Sequence, residues 1–188
     1  MIAPTEVLKS EHRVIEKVIT TMDWVGRTLL RGKRVDPSLI EEITDFMEKF
    51  ADKCHHGKEE NVLFEWMERM GVPKEGGPIG VMLYEHELGR SYRKAIVEAL
   101  PSYKEGSLEA AKVIAENVQA YASMLSQHIM KEDNILFKIA DELIAEKDDE
   151  TYLMENFEKV ERKIMGKGEH ERLLKLVDKI ASALKEQT

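Results

Sequence analysis

The sequence predicts an all-α protein, an up-down-up-down four-helix bundle with an additional C-terminal helical segment, and three observations carry the prediction. Leu, Ile, Ala, Glu and Lys dominate a chain of 188 residues with only 6% aromatics and 5 prolines, a composition that favours long helices. Apolar residues recur at steps of three and four through four long segments. One phrase also occurs twice, as His55-His56-Gly57-Lys58-Glu59-Glu60-Asn61-Val62-Leu63-Phe64 and as His128-Ile129-Met130-Lys131-Glu132-Asp133-Asn134-Ile135-Leu136-Phe137. The chain therefore reads as two helical hairpins in tandem.

The first helix is expected to take Thr5 as N-cap and to bury Leu8, His12, Ile15, Ile19, Met22 and Leu29 before Gly32 stops it. Asp36-Pro37 opens the second, since proline at the first helical position loses no hydrogen bond. Its stripe runs Leu39, Ile43, Met47, Phe50, Ala51, Cys54, Val62, Leu63, Trp66 and Met70, and Gly71-Val72-Pro73 ends it. The loop Lys74 to Pro78 divides the chain into comparable halves. A third helix buries Ile79, Met82, Leu83, His86, Gly89, Ile96 and Leu100, with Pro101 and Gly106 marking its end. The fourth is the most regular, with Ile114, Val118, Tyr121, Leu125, His128, Glu132, Ile135, Ile139 and Leu143 along its seam. Residues 1–147 form the expected bundle. Residues 148–188 form a helical tail packed on it, a hairpin or a bent helix with Tyr152, Phe157, Val160 and Ile164 before a break at Gly166-Lys167-Gly168, then Leu173, Leu174, Val177, Ile180 and Leu184.

Charge and composition exclude several function classes. A net charge of -8 is no footprint for nucleic acid. Cys54 is the only cysteine and forms no intrachain disulfide; no apolar run approaches a membrane span, and the N-terminus lacks the features of a signal peptide, so the cytoplasm is the expected compartment.

The chemistry lies in the repeat. Each copy is His-x-x-x-Glu, and residues four apart share a helix face, so His55 with Glu59 and His128 with Glu132 each present an imidazole and a carboxylate in one direction. His12 and His86 lie in the stripes of the first helix of each hairpin, 43 and 42 positions ahead of His55 and His128. Seam positions are roughly two in seven of a helix, so four histidines falling there by chance is a less than about one-in-a-hundred event. Two glutamates in the same layer sharpen the point, because an uncompensated buried carboxylate costs several kcal/mol and no seam Lys or Arg accompanies them. Cations are the natural compensation, and imidazole with carboxylate suits iron, manganese or zinc. The expected ligands of a dinuclear metal site are His12, His55, Glu59, His86, His128 and Glu132.

Within this pattern His56-x-x-x-Glu60 has the same spacing as His55-x-x-x-Glu59. The gapless alignment to the second copy selects His55 and Glu59. At about 100° per residue His56 falls with Lys49, Asp52 and Lys53 on the wet side, so His56 and Glu60 are expected at the surface or behind the ligands. Glu16, four residues after His12, is placed likewise. Tyr84, Tyr92 and Tyr121 read as packing or rim residues, with a phenolate ligand as the alternative; the methionines and Cys54 read as core, and His170 as solvent-facing or capping. A ferritin-like Glu-x-x-His pair and a zincin His-Glu-x-x-His are both absent.

The set His12, His55-x-x-x-Glu59, His86 and His128-x-x-x-Glu132, with the repeated Lys-Glu-(Glu/Asp)-Asn-(Val/Ile)-Leu-Phe phrase and the stretch from Gly77-Pro78-Ile79-Gly80 to Glu85-His86, resembles the hemerythrin-like HHE cation-binding family over about residues 5 to 145. The resemblance implies two iron ions in the bundle core, bridged by the two glutamates and an oxo or hydroxo group, with the histidines terminal and zinc or manganese as substitutes. It also implies handling of O2 or NO in carriage, sensing or stress response. Oxygen-carrying members have a further histidine one turn from the third-helix ligand, where this chain has Met82 and Arg90, so a fifth imidazole is expected to be missing and more than one metal position to be open. Three functions follow: a di-iron protein binding O2 or NO; a di-iron enzyme reducing nitric oxide or peroxide, or supporting repair of iron centres, with an external electron donor; and a metal-free helical scaffold.

Overall fold

The computed structural model describes residues 3–144, 146–166 and 168–184. Among them there is no strand, and the helices are six. Helix α1 is Pro4–Leu30 and α3 is Pro78–Lys104. Helix α2 covers residues 37–69 without a break, as Pro37–Phe46, Met47–His56, Glu59–Leu63 and Phe64–Arg69, of which the two middle segments are π-helical. Helix α4 covers 108–143 as Leu108–Lys131, a π-helical Glu132–Leu136 and Phe137–Leu143. Helices α5, Lys147–Met165, and α6, Glu169–Ser182, complete the chain. No helix among the described residues is long and apolar enough to cross a membrane.

Among α1 to α4 consecutive helices are neighbours and α4 closes the ring against α1, as short connections between antiparallel helices require. Asp36 caps α2 by accepting from the Ser38 N–H, and Ser107 caps α4 by accepting from the Ala110 N–H. The α1–α4 contact is close at Gly26, where a Cβ would lie 2.3 Å from Gln119 Cγ. The apolar core is in two parts. One contains Ile15, Val18, Met22, Phe50, Cys54, Ile96, Leu125 and Ile129; the other contains Leu8, Val62, Leu63, Phe64, Met82, Leu136 and Phe137. On all four helices the switch from one cluster to the other falls at the histidines and glutamates of the repeat, so a buried polar layer crosses the bundle between two dry ones.

The C-terminal helices lie end to end against α1 and α2 as a bent segment, Glu161 of α5 pairing with Lys58 and Glu169, Arg172 and Lys179 of α6 reaching Lys49, Asp45 and Glu42 in turn; the bend falls at Gly166 (φ 59°) and Gly168 (φ 87°), a backbone region that glycine enters without a Cβ penalty. Leu153 and Phe157 of α5 join the second cluster, and Leu173, Leu176, Val177 and Ile180 of α6 join the first. Each such burial contributes about 1.5–3 kcal/mol. Lys167 and the side chain of Ile164, both named in the expected tail pattern, lie outside the described residues.

Several expectations need correction. Thr5 does not cap α1: the helix begins at Pro4 after Ala3, and Thr5 is buried in the first turn, where its hydroxyl donates to Asp141 at 2.5 Å. Pro101 does not end α3, because it faces solvent while Tyr103 beyond it is buried and clamped to Val35, accepting from its N–H at 2.9 Å and donating to its carbonyl at 2.6 Å. Ile135, expected on the seam, is 54% exposed, and Leu136 is buried instead. The cause is the π-helical turn at Glu132–Leu136: with i→i+5 bonding the chain advances through a smaller angle per residue than an α-helix, and the apolar phase slips. In the tail, Tyr152 and Leu174 are exposed, and Leu153 takes the buried position.

Candidate metal centre

The structure brings His12, His55, Glu59, His86, His128 and Glu132 into one buried layer, and adds His56; none of the seven is more than 4% exposed. Their donor atoms form two groups, His12 with His55, Glu59 and Glu132, and His56 with Glu59, His86 and His128, with the atoms of each group within 4.8 Å of one another. Glu59 belongs to both: Oε1 lies 3.4 Å from His55 Nε2 and Oε2 lies 3.5 Å from His86 Nε2. Glu132 also spans them, its Oε2 being 3.2 Å from His12 Nε2 and 3.2 Å from His128 Nε2. The two carboxylates thus stand between the two sets of imidazoles.

His56 overturns the expectation that it faces water or stands behind the ligands. Its ring stacks on His86 with centroids 3.8 Å apart, and neither of its nitrogens has a hydrogen-bond partner; Asp52 Oδ1 is 3.7 Å from Nδ1. The wheel that placed it outside assumed α-helical steps, whereas Met47–His56 is π-helical and turns less per residue, so two consecutive histidines both reach the interior. The fifth imidazole is therefore present, supplied by α2 in place of α3. The available signal was the His55-His56 pair itself, each with a glutamate four residues on.

Around this layer is a ring of carboxylates that periodicity did not reveal. Nδ1 of His12 pairs with Asp133 at 2.7 Å, Nδ1 of His55 with Glu11 at 2.9 Å, Nδ1 of His86 with Glu60 at 2.7 Å, and Nδ1 of His128 with Glu85 at 2.9 Å. A proton held on Nδ1 by a carboxylate leaves the Nε2 lone pair pointing inward, which is how metal-binding histidines are set. Each carboxylate has a cation behind it: Arg13 on Asp133, Lys58 on Glu11, Arg90 on Glu60 and Lys131 on Glu85. The arrangement follows the sequence repeat, because Glu11-His12 matches Glu85-His86 and Glu60 matches Asp133. Glu16 pairs with Arg13 at the surface, 3.3 Å away.

Inside the ring, His12 Nε2, His55 Nε2, both nitrogens of His56 and all four oxygens of Glu59 and Glu132 lack a hydrogen-bond partner. Buried polar atoms are ordinarily paired, and an unpaired buried charge costs several kcal/mol, so so many orphans converging on two points fit a pair of cations. The electrostatics of the metal-free layer agree. Burial and then the neighbouring Glu132 push the Glu59 carboxyl well above its ordinary range. Burial also opposes ionisation of Glu132, but His128 and His12 outweigh it and hold that carboxyl well below. Burial drives His55 down to about 4 and, with His86 beside it, His56 down to about 3. For His128 burial is overcome by Glu132 and Glu85, and it is pushed up to about 9. Burial thus favours the neutral form of His55, His56 and His86, and imidazoles beside carboxylates are the donor set of iron, manganese or zinc.

A cavity of about 10 Å³, enough for one water-sized molecule, opens beside His56, His86 and His128 and is closed by Met47, Gly89 and Tyr121. Tyr121 is buried and packs over Gly89, while Tyr84 is exposed and Tyr92 rests against the core. His170 is half-buried at the start of α6, 3.6 Å from Glu161.

Comparison with known proteins agrees with this geometry. The hemerythrin HHE cation-binding domain matches residues 3–140. Relatives include the uncharacterized proteins Rv1995 of Mycobacterium tuberculosis and Mb2018 of Mycobacterium bovis, each 22% identical over 135 residues. The match covers 72% of this chain and 52% of each relative, so the chain spans about half the length of the curated proteins it resembles. No solved structure matches it at a significant level. A match over most of the chain, which takes in both copies of the motif, makes this protein a member of the hemerythrin HHE cation-binding domain family.

Proposed function

We propose that this is a non-haem di-iron protein that binds O2 or NO, in carriage, sensing or a stress response. The observation that carries the reading is the set of orphaned buried donors divided into two groups that share Glu59. Each group has four donors, three imidazoles with Glu59 on the His56 side and two imidazoles with Glu59 and Glu132 on the His12 side, and the cavity for an exogenous ligand lies beside the former. When bound, two irons would supply one-electron redox chemistry and vacant positions for a small ligand. The chain's own part is to hold and to exclude. Glu59 and Glu132 would offset the charge of the cations from between them, and the outer carboxylates hold the proton of His12, His55, His86 and His128 on Nδ1, so that Nε2 of each is the nitrogen offered to a metal. Apolar layers on both sides keep bulk water out, and the cavity admits nothing much larger than a diatomic molecule or a peroxide.

The test is metal content and visible absorption of protein loaded with ferrous iron, recorded before and after O2 or NO. Two irons per chain and a spectrum that reverses when the gas is removed support binding. Repeated turnover of NO or peroxide with an external electron donor would assign an enzyme instead. Failure to bind any metal would leave a helical scaffold.

A further inference from the structure

The relays behind His55 and His128 are built alike as far as the lysine and differ beyond it, where the C-terminal segment meets one and, among the described residues, not the other. On the side it meets, His55 Nδ1 pairs with Glu11, Glu11 with Lys58, and Lys58 Nζ with Oε2 of Glu161 on α5 at 3.0 Å. Glu161 in turn faces His170 of α6 at 3.6 Å, so the chain of contacts draws on both C-terminal helices. On the other side, His128 Nδ1 pairs with Glu85 and Glu85 with Lys131, and there, among the described residues, the chain of ion pairs stops. The difference in environment is large: the Lys58 side chain is 1% exposed and that of Lys131 is 32% exposed. Glu11, Cys54 and Glu161 also bring ligand-type atoms together, but the Lys58 ammonium already lies against both glutamates, so that cluster is neutralised without a metal.

We infer that the C-terminal helical segment is a working part of the metal centre, in which Glu161 is a positioning residue that fixes Lys58 and Glu11 behind His55 and so tightens retention of the cation on the His12/His55 side. The inference rests on the two-metal reading above. A buried ammonium shared by two carboxylates cannot swing away from Glu11 to find water, whereas Lys131 can. Glu11 is thereby held at the distance that keeps His55 Nε2 aimed at Glu59. Partners directly behind metal ligands are worth about 10–100-fold in affinity, and Glu161 acts two steps further out, through Lys58 and Glu11, so its loss is expected to speed release roughly three- to ten-fold. The family match ends at residue 140, ahead of the C-terminal segment, so this control belongs to the part of the chain that the family pattern does not include.

The experiment compares the protein with its Glu161→Gln and Glu158→Gln variants, Glu158 being an exposed neighbour on α5 paired, among the described residues, only with Arg162. Each is loaded anaerobically with ferrous iron, and release to a coloured chelator is followed in time. Glu161→Gln should release one of two irons roughly three- to ten-fold faster than wild type and the other at the wild-type rate. Its metal-free unfolding midpoint should stay within about 3 °C, as for loss of a part-exposed ion pair. Glu158→Gln should behave as wild type. Unchanged release in Glu161→Gln, or equal acceleration of both irons with a fallen midpoint, would overturn the assignment. If wild-type protein itself fails to hold two irons, the two-metal reading fails first and this inference with it.

Discussion

His56 stacks on His86 with ring centroids 3.8 Å apart and planes 14° from parallel, although the two residues come from different helices and only one of them falls on a regular α-helical seam. Both imidazoles thus stand in one donor group with His128 and Glu59. Changing His56 to Ala should therefore remove or weaken one metal position by at least about ten-fold, the scale of lost ligand support. His55→Ala should cost the other position. Metal-to-protein ratios after gel filtration check both.

Glu11 and Glu85 hold the Nδ1 protons of His55 and His128. Glu11→Gln and Glu85→Gln should each weaken one metal position by about 10–100-fold while leaving the fold intact. Competition titration with a chelator of known affinity measures the change, and full affinity in both variants would contradict the role given to the outer carboxylates.

Lys58 and Lys131 are equivalent in sequence and unequal in burial. Lys58→Met leaves Glu11 buried without its cation and should destabilise the protein by about 3–5 kcal/mol. Lys131→Met removes a part-exposed pair and should cost about 1 kcal/mol or less. Denaturant unfolding of the metal-free variants gives both values.

Glu59 supplies the pH prediction. Its folded-state carboxyl is raised well above the ordinary value of 4.5, by burial and by the adjacent Glu132, so folding favours its protonated form. The stability it contributes is present below pH 4.5 and is lost as pH rises through the folded value. Metal-free Glu59→Gln should lose that part of the pH dependence and be more stable than wild type at neutral pH, while no longer holding two metals. Unfolding midpoints from about pH 4 to 8, wild type against variant, show whether the two curves converge at the acid end as this requires.

The helices and their hairpin pairing were legible because apolar residues at steps of three and four mark a buried face wherever the helix is α-helical, as in α1 and the first part of α4. The same rule failed for His56 and Ile135, which lie in π-helical segments where the angular step changes and nothing in composition announces it. Glu11, Glu60, Glu85 and Asp133 were not legible as a ring because each serves a histidine on another helix, so their role exists only once α1 meets α2 and α4, and α3 meets α2 and α4. Thr5 and Pro101 misled for a simpler reason. Local propensity was outweighed by burial, of Thr5 against Asp141 and of Tyr103 against Val35.

The most direct test is an anaerobic titration of the metal-free protein with ferrous iron, read as the number of ions bound per chain. Wild type should saturate at two and His56→Ala at one. Saturation of wild type at a single ion, or of His56→Ala at two, would contradict a centre built from two donor groups that share Glu59.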